Sequence, residues 1–251
     1  MSIENSKPWM EFLTNVRKAK EDLGNPEIIW YRGQWNSHHY LLPSLLRFEN
    51  GIDKERYLYQ KFQRFADKMF KGKKSEWDTL FDMQHYGTPT RLLDWTESFG
   101  IALFFAAHYN FSRNSNENAA IYLLNPLKIN LLSGYNHIIN LPSEEQSFSY
   151  KKIYWEKQPH AATAPVAIEP ILNNDRIIAQ RGVFTIHNDD ISPIEDLYPN
   201  AIKKILLPND AIEPAMEFLE LANMNEYTVY PDFEGLTDYL LNTTGLISRW
   251  K

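Results

Sequence analysis

At 251 residues, 43% of them hydrophobic and including seven Trp, fourteen Tyr and fourteen Phe, the chain has enough apolar mass for one continuous core, which excludes a disordered chain. A formal net charge of -6 and no Lys/Arg run denser than Lys71-Gly72-Lys73-Lys74 argue against a broad nucleic-acid footprint, leaving room for no more than a small basic groove. The absence of cysteine excludes disulfides, thiolate nucleophiles and zinc-thiolate sites, while the longest apolar run, residues 101–107, is too short to span a bilayer.

The first residues lack an apolar stretch of signal-peptide length, so a cytoplasmic protein without membrane contact is expected. Residues 8–23 space Trp9, Phe12, Leu13, Val16 and Leu23 by about one helical turn before Gly24-Asn25-Pro26, which predicts an amphipathic helix packed on the rest of the domain. Residues 27–31 are a short β-prone run that delivers Arg32-Gly33-Gln34 where strand becomes loop. Residues 53–70 set Tyr57, Tyr59, Phe62, Phe65, Ala66 and Phe70 on a helical stripe expected to face the core. Ser75 caps a further helix through Trp77, Leu80, Phe81 and Met83, which Tyr86-Gly87-Thr88-Pro89 breaks.

Residues 90–96 read as a strand and 97–109 as a helix too apolar for an exposed face. After a polar loop at 110–118, residues 119–124 form a continuously apolar strand of the kind found inside a sheet. The pattern over 126–160 is mixed. Strands are expected at 165–168, at 177–186 with an interruption at Gln180-Arg181-Gly182, at 202–207 and at 227–230, with helices at 210–222 and 233–241. Without repeats or linkers, the expectation is a single α+β domain over 1–251.

No G-x-G-x-x-G, G-x-x-x-x-G-K, G-x-S-x-G or H-E-x-x-H occurs, so nothing local supports a dinucleotide Rossmann fold, a P-loop, an α/β-hydrolase or a zincin. The seven His are scattered, and no metal site is predicted.

Several motifs do occur in order: Y-R-G-Q at 31–34, L-L-P-S-L-L-R at 41–47, Q-H-Y-G-T-P-T-R-L-L-D-W-T at 84–96, A-L-F-F-A-A at 102–107, R-I-I-A-Q-R-G-V-F at 176–184 and V-Y-P-D-F-E-G-L at 229–236. Together they resemble the FRG domain family, over roughly residues 28–241. A second resemblance is to ADP-ribosyltransferases of the Arg-Ser-Glu type. Arg32-Gly33 stands for the first motif, and Asp94-Trp95-Thr96 followed by 102–106 for the second, with Asp and Thr replacing two Ser. The position of the catalytic Glu falls near Arg176, with Asp175 and Gln180 close by, so the acid would have to come from Asp94, Asp175 or Glu169.

These resemblances imply a mixed or antiparallel split β-sheet flanked by helices, ADP-ribosyltransferase-like, with NAD as substrate in a toxin or phage-defence setting. They assign Arg32, His85 and Asp94 to catalysis, and Arg32, Gly33, Gln34, Arg91, Thr96 and Gln180 to nucleotide binding. A guanidinium grips phosphate or ribose through paired charge-assisted hydrogen bonds, Gly33 lets the backbone approach the nicotinamide amide, and a carboxylate stabilises an oxocarbenium-like state. The rival is a recognition module that binds a nucleotide, a nucleic-acid end or a phage protein without turnover, and a third reading is a hydrolase or nuclease built on His85 and Asp94. Each residue also has a packing role open to it: Arg32 as an ion-pair partner of Asp94, Thr96 as a helix cap, His85 as a turn residue, Arg91 as a salt bridge on the strand edge and Gly182 as a bulge.

Overall fold

A computed structural model of the chain describes residues 6–69, 74–113, 115–144, 147–158 and 164–246. The first helix, α1 (Lys7–Asp22), begins where the Ser6 hydroxyl accepts a hydrogen bond from the Trp9 amide and Pro8 occupies the first turn. Then come β1 (Trp30–Gln34), a 3₁₀ turn (Ser44–Arg47), α2 (Gly51–Ala66), a second 3₁₀ turn (Asp67–Met69), α3 (Glu76–His85) and β2 (Leu92–Thr96). One helical run follows, made of α4 (Phe99–Leu103), a π-helical turn (Phe104–His108) and α5 (Tyr109–Ser112). The middle of the chain supplies β3 (Ala119–Leu124), α6 (Pro126–Leu132), β4 (Ile139–Asn140), α7 (Leu141–Glu144), a second π-helical turn (Lys151–Trp155) and β5 (Val166–Glu169). The last third holds α8 (Asp175–Ala179), β6 (Gly182–Ile186), α9 (Ile194–Leu197), β7 (Ile202–Leu207), α10 (Ile212–Leu221), α11 (Glu226–Val229) and α12 (Phe233–Thr243).

The seven strands form one sheet in the order β4-β5-β6-β2-β1-β3-β7, parallel only between β4 and β5. Pairing is extensive within each half: β1 and β3 run in register from Trp30–Leu124 to Gln34–Ala120, and β2 and β6 from Leu92–Ile186 to Thr96–Gly182. Between β1 and β2 the register holds only at Tyr31–Thr96. The sheet therefore consists of two blocks joined at one point, and they leave a gap that side chains must fill.

Alternation along β3 explains how the sheet is covered. Ile121 and Leu123 pack on one face with Trp9, Phe12, Phe104 and Leu219, whereas Tyr122 and Leu124 pack on the other with Trp30, Trp95 and Ile129. A strand covered on both faces reads as an unbroken apolar run, and all six β3 residues are buried. A third cluster joins Trp77 and Phe81 of α3 to Phe184, Ile186 and Tyr150. Each fully buried Trp or Phe side chain contributes about 1.5–3 kcal/mol.

Four expectations change. Arg32-Gly33-Gln34 lies inside β1 instead of beyond its end, because β3 supplies backbone partners at Tyr122, Ile121 and Ala120. Residues 177–179 are helical: the Asn174 side chain accepts from the Arg176 and Ile177 amides and starts α8, and the strand begins only at Gly182, after Arg181 at φ 46°. Residues 227–229 are likewise helical, because Asn225 and Thr228 form a capping box that opens α11. The aromatic stripe of α2 is divided, with Tyr59 buried but Tyr57 and Phe65 58% and 71% exposed. Phe70, and Lys71-Gly72-Lys73 of the basic run, lie outside the described residues. Among the described residues no helix is long and apolar enough to cross a membrane.

Candidate active site at the split of the sheet

Where β1 and β2 part, a cavity of about 270 Å³ opens, walled by both strands, the C-terminal turn of α3, the helical run after β2, α8 and the residue following α11. Arg32 spans the gap between the blocks. Its Nη1 donates to the Asp94 carbonyl at 2.6 Å and lies 3.6 Å from Asp94 Oδ2, while its Nε is buried with no acceptor among the described residues. Burial depresses the Arg32 pKa, and the Asp94 charge works against that depression.

Asp94 is held from its other side. Gln84 Nε2 lies 3.0 Å from both carboxylate oxygens, and Gln84 Oε1 accepts from the Thr90 hydroxyl at 2.5 Å, so the amide orientation follows from its two partners. The Asp94 side chain remains 54% exposed. Among the described residues it is the carboxylate that lines the cavity. Asp175 is exposed at the start of α8, and Glu169 accepts from Asn140 Nδ2 near the sheet edge; neither lines the cavity.

Arg176 and Gln180 reach the same cavity from α8 and the turn after it. Arg176 Nη2 donates to Asp232 Oδ2 at 2.7 Å, its guanidinium lies 4.8 Å from the centre of the Tyr230 ring, and its Nε, like that of Arg32, is buried without an acceptor among the described residues. Gln180 Nε2 donates to the Val229 carbonyl at 3.2 Å, which fastens the α11 segment to the cleft, and the Tyr230 and Tyr109 hydroxyls share a hydrogen bond of 2.8 Å. His85, half-buried at the end of α3, has its ring edge-on to Tyr86, and the ring makes no hydrogen bond among the described residues. Burial and the nearby Arg176 charge depress its pKa, so the imidazole is neutral at pH 7.

The remaining candidates divide. Thr96 lines the cavity, but its hydroxyl donates to the Gln180 carbonyl at 2.7 Å and accepts from the Ser98 amide at 3.0 Å, and Ser98 provides the cap of α4. Gly33 also lines the cavity. Its missing side chain is explained by helix packing, because a Cβ there would stand 1.8 Å from the Ala102 carbonyl oxygen.

Arg91 and Gln34, assigned above to nucleotide binding, lie outside the cavity. Arg91 is buried and committed elsewhere: Nε and Nη2 meet the Glu55 carboxylate at 2.5 and 2.7 Å, and Nη1 meets Asp189 Oδ1 at 2.8 Å. Burial alone would lower its pKa, but the Glu55 hydrogen bonds and charge outweigh that and raise it. Gln34, at the end of β1 opposite Ala120, is buried away from the cavity, with its Oε1 lacking a partner among the described residues.

Residues 27–115 match the family model of the FRG domain. The chain carries an FRG domain. Searches of curated proteins and of solved structures gave no match. The FRG match runs from just before β1 to just past α5 and so contains Arg32, Gln84, His85, Asp94 and Thr96, whereas Arg176, Gln180 and Tyr230 come from beyond it. It is narrower than the span of 28–241 expected above. The sequence motifs contained Gln84 without a role for it and treated Arg176 only as an obstacle to catalysis. The signal for the second guanidinium was the Arg176/Gln180 spacing of one helical turn, which puts both on one side of α8. Among the described residues no group of three or more His, Asp or Glu side chains could hold a metal ion.

Proposed function

We propose that the cleft of this FRG domain binds a phosphorylated nucleotide, with Arg32 and Arg176 taking the phosphate and the aromatic wall taking the ring. The observation that carries this reading is the pair of guanidiniums lining one cavity, each with a buried Nε–H that lacks an acceptor. An unsatisfied buried donor costs about 1–3 kcal/mol. A phosphate accepts several such bonds at once, and the planar fork of Arg matches it. Phe81, Phe105, Phe184 and Tyr230 supply apolar surface for a ring, and neutral His85 supplies one further donor or acceptor.

NAD is the nucleotide that the ADP-ribosyltransferase resemblance implies, and the cavity suits part of it. At about 270 Å³ it lies just below the roughly 300–1,000 Å³ of sites that enclose drug-sized ligands. It would hold one half of a dinucleotide and leave the other at its mouth. Cleavage of the glycosidic bond is the second reading and rests on Asp94, which Gln84 orients beside Arg32. The first reading is preferred because Arg176, near the position where the resemblance places a catalytic acid, carries a charge that opposes an oxocarbenium ion. Under the second reading the acceptor would be a macromolecule such as a phage protein, in a toxin or defence role.

Isothermal titration with ADP and NAD tests the proposal. Arg32→Ala and Arg176→Ala are each expected to weaken binding more than tenfold; binding that survives both substitutions overturns the assignment of the cleft. Nicotinamide release from NAD, measured with and without cell extract, decides the second reading: release that Asp94→Asn abolishes supports it, and no release removes it.

A further inference from the structure

A second surface lies on the outer side of α2 and is independent of the cleft. Although the chain carries a net charge of -6, this side gathers Lys54, Lys61 and Arg64, with Lys68 of the second 3₁₀ turn continuing the row. None of these four cations forms an ion pair among the described residues. Asp53 and Asp67 are the acids exposed on the same segments, so positive charge is in excess.

Exposed rings alternate with these charges. Lys61 Nζ lies between Tyr57 and Phe65, at 5.2 and 6.0 Å from their ring centres, and the Arg64 guanidinium covers Phe65 at 5.8 Å. Tyr57 and Phe65 are eight helical positions apart, about 12 Å along the axis, and the cations extend over roughly 20 Å. The opposite side of α2 is fixed by buried Tyr59 and Ala66, so this face is presented on a packed scaffold.

We propose that the α2 face is a docking surface for single-stranded nucleic acid, with the Lys and Arg side chains on the phosphates and Tyr57 and Phe65 stacking on bases. Charge complementarity selects a polyanion. The spacing of the rings, each with a cation against it, selects a strand with separated planar groups over a continuous lipid surface, which would favour a contiguous apolar wedge.

Fluorescence anisotropy with a labelled oligodeoxythymidylate of about 15 nucleotides provides the test. Binding is expected to fall with salt, and each phosphate contact contributes about -0.7 to the slope of log affinity against log salt. Lys61→Glu with Arg64→Glu is expected to weaken binding more than tenfold and to flatten that slope, while ADP binding and circular dichroism stay unchanged. Tyr57→Ala with Phe65→Ala is expected to weaken binding with little change in slope. No binding at low salt, binding unaffected by the double charge reversal, or binding to phosphatidylserine vesicles without oligonucleotide binding would each overturn the proposal.

Discussion

Replacing Arg91 with Met separates packing from ligand binding at a residue whose motif position suggests phosphate contact. The side chain is 1% exposed and meets the Glu55 carboxylate through two nitrogens, while Glu55 is 6% exposed and also accepts from the Tyr150 hydroxyl. Met keeps the unbranched apolar stem of Arg but leaves Glu55 as a buried charge with one neutral donor. Removing one partner of such a pair costs about 3–5 kcal/mol. In a chain of this size each kcal/mol lowers Tm by about 2–4 °C, so a fall of roughly 6–20 °C is expected. Urea denaturation followed by Trp fluorescence measures the loss, and titration with ADP below the unfolding midpoint should return an unchanged affinity. Adding Glu55→Gln to Arg91→Met should recover part of the stability, because the unpaired charge disappears, giving a coupling energy above about 1 kcal/mol. A loss below about 1 kcal/mol together with abolished nucleotide binding would refute the structural role and return Arg91 to the site.

Gly33→Ala forces a methyl group to 1.8 Å from the Ala102 carbonyl oxygen and 2.9 Å from the Ala106 amide nitrogen; both are backbone atoms, so a loss above about 3 kcal/mol or failure to fold is expected in a denaturation series. Asp232→Asn removes the charge partner of Arg176 and should tighten ADP binding several-fold in a calorimetric titration. His187 provides a pH test. Trp95 Nε1 donates to Thr185 Oγ1, leaving the Thr185 hydroxyl to donate to His187 Nε2, and burial, with Arg91 and Arg32 nearby, lowers the ring to about 3. The unfolded chain, with an ordinary His pKa of about 6.5, then binds a proton that the native state refuses. His187 therefore costs no stability above about pH 6.5, and stability drains as pH falls from there toward 3, by about 2–3 kcal/mol between pH 6.5 and 4.5. Urea midpoints for wild type and His187→Asn should converge as the pH falls.

Short-range signals were legible in the sequence alone. The Ser6 and Ser75 caps, the unbroken apolar run of β3 and the local motifs around Arg32, His85 and Asp94 each depend on neighbours a few residues away, and they placed α1, α3, β2 and β3. Capping also misled where its weight was missed: Asn174 and Asn225 each open a helix within a segment whose composition suits a strand.

Tertiary structure decided which guanidinium meets which acid. Arg91 finds Glu55 36 residues away and Asp189 98 away, which withdraws it from the cleft, whereas Arg32 reaches Asp94 across 62 residues and Arg176 reaches Asp232 across 56. The same holds for the cavity, which exists because β1 and β2 touch only at Tyr31–Thr96. Residue types and periodicity specify what each segment can form. Strand order and the partner of a buried charge are set by the closest packing of distant segments, where the cost of an unpaired group is settled.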